Sequence, residues 1–159
     1  RENKLYDITY YILVTSDGEC LDGTTIQSLN VLGRRLETKR YPLYERTRLR
    51  GKIKEGDICF FYLAGKGEGR HTIIGHSQID KIEYPKDPLE FNDMLGTPVD
   101  RYLKMGKINI YDKRILLHDI KEDLTFIKNK QKWGVYFQGG TIMLQKSDAK
   151  LILAKNEVS

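Results

Sequence analysis

Cysteine, tryptophan, histidine and proline are all scarce here: two, one, three and four among 159 residues. The two cysteines, Cys20 and Cys59, lie far apart, so neither a disulfide scaffold nor a four-ligand zinc site is suggested. Cys59 sits inside an apolar run and reads as a buried, reduced thiol, which favours a reducing, cytoplasmic compartment. His71 and His76 are five apart in a stretch that reads as strand, which would send their side chains to opposite faces, and His118 is isolated. There is no Gly-x-Ser-x-Gly elbow. The glycine loop Gly65–Gly69 lacks the Gly-Lys-Ser/Thr and the following helix of a phosphate-binding loop, so a hairpin turn explains it better. Glu122 and Asp123 fit an exposed turn better than an acid–base pair. No enzyme activity, no metal and no cofactor are therefore expected. No apolar run approaches the roughly 18 residues of a membrane span, and no basic segment precedes an apolar one at the start, so no membrane partner or secretory signal is expected. No Pro/Gly/Ser-rich linker divides the chain, and the reading is one domain over residues 1–159, either complete or excised from a longer chain.

What the sequence does have is a localised charge. Between Arg34 and Lys54 nine cations (Arg34, Arg35, Lys39, Arg40, Arg46, Arg48, Arg50, Lys52, Lys54) face only Glu37 and Glu45, a net +7, whereas the whole chain carries +5 and the remainder therefore −2. Six of the nine are arginines, whose planar fork suits phosphate oxygens. Tyr41 and Tyr44 interleave with them. A solvated, salt-bridged face is the plainer explanation. A polyanion-binding surface is preferred, because the basicity is concentrated and aromatic residues sit within it.

The organisation reads as α+β. Ile8 to Val14 is a β-branched, aromatic run that ends at a Ser16-Asp17-Gly18 turn. Asp22 or Thr24 then suggests a helix cap, with Ile26, Leu29 and Leu32 forming its apolar stripe and Gly33 its end. Ile58 to Leu63 reads as a buried strand, paired across the glycine loop with an imperfectly alternating run from His71 to Tyr84. Asp87-Pro88 suggests a short helix to about Leu95, followed by a loop to Gly106. Lys107 to Ile120 fits two strands or one bent strand. Trp133 to Phe137 fits a strand or a packed loop, and a leucine pattern from about Gln145 to Ala154 predicts a closing helix.

The order of these segments resembles the EVE branch of the PUA-like superfamily. The resemblance rests on Tyr10-Tyr11-Ile12-Leu13-Val14-Thr15-Ser16, on a helix ending Asn30-Val31-Leu32-Gly33, and on Lys54-Glu55-Gly56-Asp57 entering an apolar strand. It is most specific in Phe126-Ile127-Lys128-Asn129-Lys130-Gln131-Lys132-Trp133, which continues through Tyr136-Phe137 into the last helix. What it implies is a PUA-like curved mixed sheet or small barrel flanked by short helices, with kinship to the YTH readers of methylated adenine. EVE-like modules also serve as DNA-specificity domains of modification-dependent restriction systems, which implies fusion to a motor or nuclease domain. Carried onto this chain, the base site would involve Thr15, Ser16, Leu32 and Gly33, with Leu32 where relatives place a cage tryptophan. The loop before the later strands would add Tyr102 and Met105. Trp133 reads as a structural anchor. The expected partner is nucleic acid, DNA ahead of RNA, with Arg34, Arg35, Arg46 and Arg48 on phosphates and one methylated base in an apolar slot. The alternatives are an RNA-binding PUA-like protein and a small-molecule or protein-binding module whose basic face only aids solubility.

Overall fold

The protein is described from a computed structural model, which covers residues 8–20, 22–87, 92 and 95–158. Its strands are β1 (Tyr10–Thr15), β2 (Gly18–Glu19), β3 (Thr25–Ile26), β4 (Arg40–Leu43), β5 (Ile58–Leu63), β6 (Thr72–Glu83), β7 (Arg101–Leu116) and β8 (Thr141–Leu144). Its helices are α1 (Ser28–Thr38), α2 (Leu117–Ile120) and α3 (Lys146–Val158). Six strands form one sheet in the order β4-β7-β6-β5-β1-β8, and β2 and β3 form a small separate hairpin. Among the described residues only β1 and β5 pair in parallel, from Tyr10↔Ile58 to Thr15↔Leu63. A parallel pair needs a crossover, and α1 with β4 lies in the chain between them.

The near-continuous apolar runs of β1 and β5 follow from burial on both faces of the sheet. On one face Ile12, Val14, Phe60 and Tyr62 join Ile120, Leu124, Phe137 and Ile152 in a core beneath the C-terminal segment. On the other, Tyr11, Leu13, Cys59 and Phe61 pack with Leu32, Tyr41, Leu103 and Met105 in a second core. Strand β7 serves both, giving Leu103 and Met105 to one core and Tyr111 and Ile115 to the other. Its hairpin with β6 carries register shifts between Ile73 and Gly75, Ser77 and Ile79, and Ile79 and Lys81. Such bulges increase twist and let a sheet curl.

Two acids, Asp57 fully buried and Asp17 half-buried, fix the ends of β1. Asp57 has no exposed surface and accepts hydrogen bonds from the Thr9 N–H (3.1 Å), the Lys54 N–H (2.9 Å) and Lys54 Nζ (2.8 Å), stapling the start of β1 to the start of β5. Beyond the other end, Asp17 accepts from the Ser28 N–H (2.9 Å) and the Lys66 N–H (3.0 Å), joining the exit of β1 to the N-terminus of α1 and to the glycine loop.

Several boundaries differ from the sequence expectation. Helix α1 begins at Ser28, not near Asp22, because its first amide is capped from Asp17, eleven residues upstream. Asp22 instead accepts from the N–H (3.0 Å) and hydroxyl (2.7 Å) of Thr24 in the β2–β3 turn, an Asx motif. Gly33 lies inside α1, and the helix continues until Lys39 takes φ 57° and donates its N–H to Leu36 O (3.2 Å). The packing of Leu36 against the second core extends the helix past the glycine. The expected loop before Gly106 is instead the first part of β7, which pairs with β4 from Arg40↔Lys104 to Leu43↔Arg101. Residues 107–116 belong to the same strand, and Trp133–Phe137 is a short 3-10 helix. The helix expected at Asp87-Pro88 falls largely outside the described residues. Among the described residues no helix is long and apolar enough to cross a membrane.

The β6–β7 hairpin depends on Gly75, where an added Cβ would collide with the backbone oxygen of Asn109 and lie 3.1 Å from Ile110 Cα. Gly75→Ala is expected to lower the unfolding free energy by about 1–3 kcal/mol. At Gly51 an added Cβ meets nothing within 4 Å. Gly51→Ala should therefore stay within about 0.5 kcal/mol of the parent. Urea denaturation of the two variants checks the contrast, and equal stabilities would contradict the close approach at Gly75.

Candidate nucleic-acid interface

The two edge strands of the curled sheet, β4 and β8, approach each other without pairing. Tyr41 of β4 reaches across the barrel to β1, where its hydroxyl shares a 2.9 Å hydrogen bond with Thr15 Oγ1 and donates to Val14 O at 3.3 Å. At the first residue of β8, Thr141 Oγ1 donates to the carbonyl of Arg48, on the segment that follows β4. These bonds close the sheet into a half-barrel and leave a seam. Two clefts open along it, on either side of a wall made by Val14, Ser16 and Gly140.

The first cleft, about 370 Å³, is bounded by Ser16 and Gly18 at the exit of β1, Tyr41 and Pro42 on β4, Tyr44 and Thr47 on the following turn, and Leu95. That volume lies in the range of small-ligand sites, about 300–1,000 Å³. Its walls are held firmly. The Arg35 guanidinium stands 4.7 Å over the Tyr41 ring and its Nη2 donates to the Tyr44 hydroxyl (2.9 Å). Thr47 Oγ1 accepts from the Tyr44 N–H (2.9 Å) and fixes the turn. A Cβ on Gly18 would lie 2.6 Å from Leu95 Cδ1, so the absence of a side chain at this position admits Leu95 to the cleft edge.

The basic run is divided by the fold. Arg40 Nε pairs with Glu83 Oε1 (3.1 Å) while its guanidinium stacks 3.9 Å over Tyr102. Arg50 Nε lies 3.4 Å from Asp100 Oδ2, and Lys54 Nζ 2.8 Å from Asp57 Oδ1. Those three cations have carboxylate partners. Arg35 lines the first cleft, and Arg46 and Arg48 are exposed on the turn that carries Tyr44 and Thr47. Arg34 and Arg35 also line a neighbouring groove of about 470 Å³ with Arg40, Pro42 and Tyr102.

The second cleft, about 390 Å³, lies on the far side of the wall. Tyr62 and Phe137 stack at its base, with centroids 4.3 Å apart and 22° between planes. His71 and Trp133 meet edge to face at 4.8 Å and 85° on its flank. His71 holds φ 64°, an uncommon conformation for a residue with a side chain. Burial, with help from Arg70, pulls its pKa below the ordinary histidine value of 6.5, so the ring is neutral at pH 7.

The structure sorts the residues singled out in the sequence. Ser16 lines both clefts. Thr15 is 1% exposed and its hydroxyl is engaged by Tyr41. Leu32 and Met105, at 0% and 1% exposed, are part of the second core. Neither of them lines the first cleft. Gly33 borders a shallow groove on the outer side of α1, and Tyr102 lies under Arg40. The aromatic residues that do face the end of β1 are Tyr41 and Tyr44. Their only signal in the sequence was their place among the arginines. Among the described residues no three His, Cys, Asp or Glu side chains converge to hold a metal.

Leu32→Ala is expected to lower stability by about 2–5 kcal/mol, as for a filled core position. Tyr41→Phe, which leaves the buried Thr15 hydroxyl without its partner, should lower it by about 1–3 kcal/mol. Chemical denaturation measures both. A Leu32→Ala protein as stable as the parent would place that side chain at the surface after all.

No family model matches the sequence, and no curated protein matches it. Solved structures do. Human THYN1 in complex with 5-methylcytosine-containing DNA superposes with TM-score 0.61 at 14% identity, over 94% of this chain and 98% of that one. The N-terminal domain of Staphylothermus marinus McrB gives 0.56 at 10% identity, over 91% and 93%. The YTH domain of Zygosaccharomyces rouxii MRB1 in complex with N6-methyladenosine RNA gives 0.55 at 10% identity, over 92% and 86%. At these identities the likeness establishes the architecture, and the curled mixed sheet with its short flanking helices is a PUA-like fold.

Proposed function

We propose that this chain is an EVE-type nucleic-acid-binding module that captures one methylated base in the first cleft, without catalysis and without a cofactor. The observation that carries the reading is the cleft itself. At the seam of the half-barrel, Ser16, Tyr41 and Tyr44 form a small slot whose rim holds Arg35 and whose adjoining turn holds Arg46 and Arg48. Two similarly folded proteins are complexed with nucleic acid carrying a methylated base. In this reading Arg34, Arg35, Arg46 and Arg48 hold phosphates and position the strand, while the slot specifies the base. Tyr44 supplies a stacking face, and the Ser16 hydroxyl and exposed backbone read the polar edge. Extrusion of a base from a duplex costs a few kcal/mol, which stacking of about 1–3 kcal/mol and edge hydrogen bonds have to offset. DNA is the preferred ligand, and service as the DNA-specificity domain of a longer restriction protein is part of the proposal, supported by the likeness to a domain of McrB.

The test is binding of matched single-stranded and duplex oligonucleotides, DNA and RNA, with cytosine or adenine methylated or plain, over a series of salt concentrations. With about four phosphates engaged, log K against log salt should slope near −3.6 for duplex DNA and about −2.8 for single strands. Arg46→Glu with Arg48→Glu should weaken methylated and plain ligands alike. Tyr44→Ala should lower affinity for the preferred methylated oligomer by roughly 5- to 150-fold, the equivalent of one lost stack. Higher affinity for methylated RNA would transfer the reading to RNA. A salt slope near zero with no preference for any methylated base would overturn it in favour of a small-molecule or protein ligand.

A further inference from the structure

The second cleft has no role in the proposal above, yet it has the features of a ligand site. Tyr62 has no exposed surface, and its hydroxyl is buried in the cleft lining with no hydrogen-bond partner among the described residues. Buried hydroxyls are normally paired, and one left unpaired is a standing penalty that an incoming polar edge relieves. Burial also raises the pKa of this phenol, so it remains protonated and able to donate. Around it the cleft is planar and aromatic. Phe137 stacks on Tyr62, and Trp133 and His71 form an edge-to-face flank in which His71 keeps an uncommon backbone conformation. Among the described residues no carboxylate lines the cleft. Flat aromatic walls with a buried donor, and with Ser16, His71 and Gln138 as the other polar side chains in the lining, suit a heteroaromatic ring that carries an acceptor on its edge. The wall shared with the first cleft, Val14, Ser16 and Gly140, is the thickness of two chain segments bonded through Val14 N–H to Gly140 O at 2.9 Å.

We infer that the second cleft binds a nucleobase flanking the one captured in the first, so that a single strand crosses the Ser16–Gly140 wall and places one base on each side. The inference rests on the proposed base-capturing role of the first cleft. The two clefts divide the work: the first distinguishes the methylated base, and the second adds affinity with little regard to sequence, because every base has a face to stack and most offer an edge acceptor. Trp133 is the only tryptophan in the chain, so its fluorescence reports on the second cleft alone.

The experiment titrates the full chain with short single-stranded DNA carrying one 5-methylcytosine or N6-methyladenine, either intact or with an abasic site on the 5′ or 3′ side of the methylated base. Intact DNA should quench Trp133. An abasic site on one side, and not on the other, should abolish the quench and weaken binding by roughly tenfold, while the preference for the methylated base persists. Tyr62→Phe should retain or exceed the parent's thermal stability, since the hydroxyl removed has no partner, and should bind intact DNA about three- to tenfold more weakly. It should not alter affinity for DNA abasic on the sensitive side. If methylated DNA is preferred but neither abasic site nor Tyr62→Phe changes affinity and Trp133 is silent, the inference is overturned and the first-cleft reading stands. If Trp133 is quenched and one abasic site matters while no methylated base is preferred, the second cleft is upheld as a base site and the first-cleft reading fails. Absence of binding to every oligomer overturns both.

Discussion

The contact on which the structure depends is the closure of the sheet at Thr15 and Tyr41. In strand order β4 and β1 are separated by three intervening strands, yet the Tyr41 hydroxyl lies 2.9 Å from Thr15 Oγ1. Closing a sheet on itself removes the liability of open edges, and a half-barrel that stops short of full pairing leaves edge groups facing a gap. Here the gap is filled by Tyr44, by the Thr141 hydroxyl donating to the Arg48 carbonyl, and by the wall of Val14, Ser16 and Gly140. Both clefts are products of that incomplete closure. Pro42 fits the same constraint, because an edge strand has one side that needs no N–H for pairing.

How much of this was legible depended on the range of the interactions involved. The limits of β5 at Ile58 and Leu63, the hairpin across the glycine loop and the closing helix follow from local pattern, and the structure matches them. The start of α1 did not follow, because its cap is Asp17, across an intervening hairpin, while Asp22 and Thr24 offered a plausible local alternative. Gly33 looked like a terminator, but the packing of Leu36 further along outweighed its weak helix propensity. The resemblance points to Ser16, which lines the first cleft, and to Leu32, which lies in the second core, while α1 runs on past Gly33 to Thr38. Tyr41 and Tyr44 come to the end of β1 through closure of the barrel, a contact across 26 residues for Tyr41 that no local pattern encodes.

Charge shows the same separation between composition and arrangement. A run of net +7 suggested one basic surface, but Glu83, Asp100 and Asp57 pair with Arg40, Arg50 and Lys54. Two of these acids lie on or beside the β6–β7 hairpin, far along the chain from the cations they meet. The two partly exposed pairs, Arg40–Glu83 and Arg50–Asp100, add little stability, at most about 1 kcal/mol each. Arg35 lines the first cleft together with Asp17 and Glu19, and Arg46 and Arg48 stand exposed on the adjoining turn. Under the proposed reading, cations placed beside a cleft would steer a phosphodiester toward it more effectively than the same charge spread over the whole face.

A slot that recognises a methyl group faces a physical limit, which bears on why a second cleft would be useful. One added methyl in an apolar pocket is worth about 1–3 kcal/mol, a discrimination of roughly 10- to 200-fold, and no increase in total affinity improves that ratio. Tight binding therefore has to come from contacts indifferent to the methyl, and discrimination from the few atoms that meet it. Phosphate contacts provide indifferent affinity but lose it as salt rises. Aromatic stacking is indifferent to sequence and far less sensitive to salt. Under the proposed reading, Trp133, His71, Phe137 and Tyr62 would supply that salt-resistant share, on a scaffold kept rigid by packing against the first core. The Ser16–Gly140 wall would then do more than separate two clefts. Because it belongs to β1 and to the turn into β8, both pinned by the sheet, it keeps the spacing between the two bases fixed, and binding of either base organises the strand for the other.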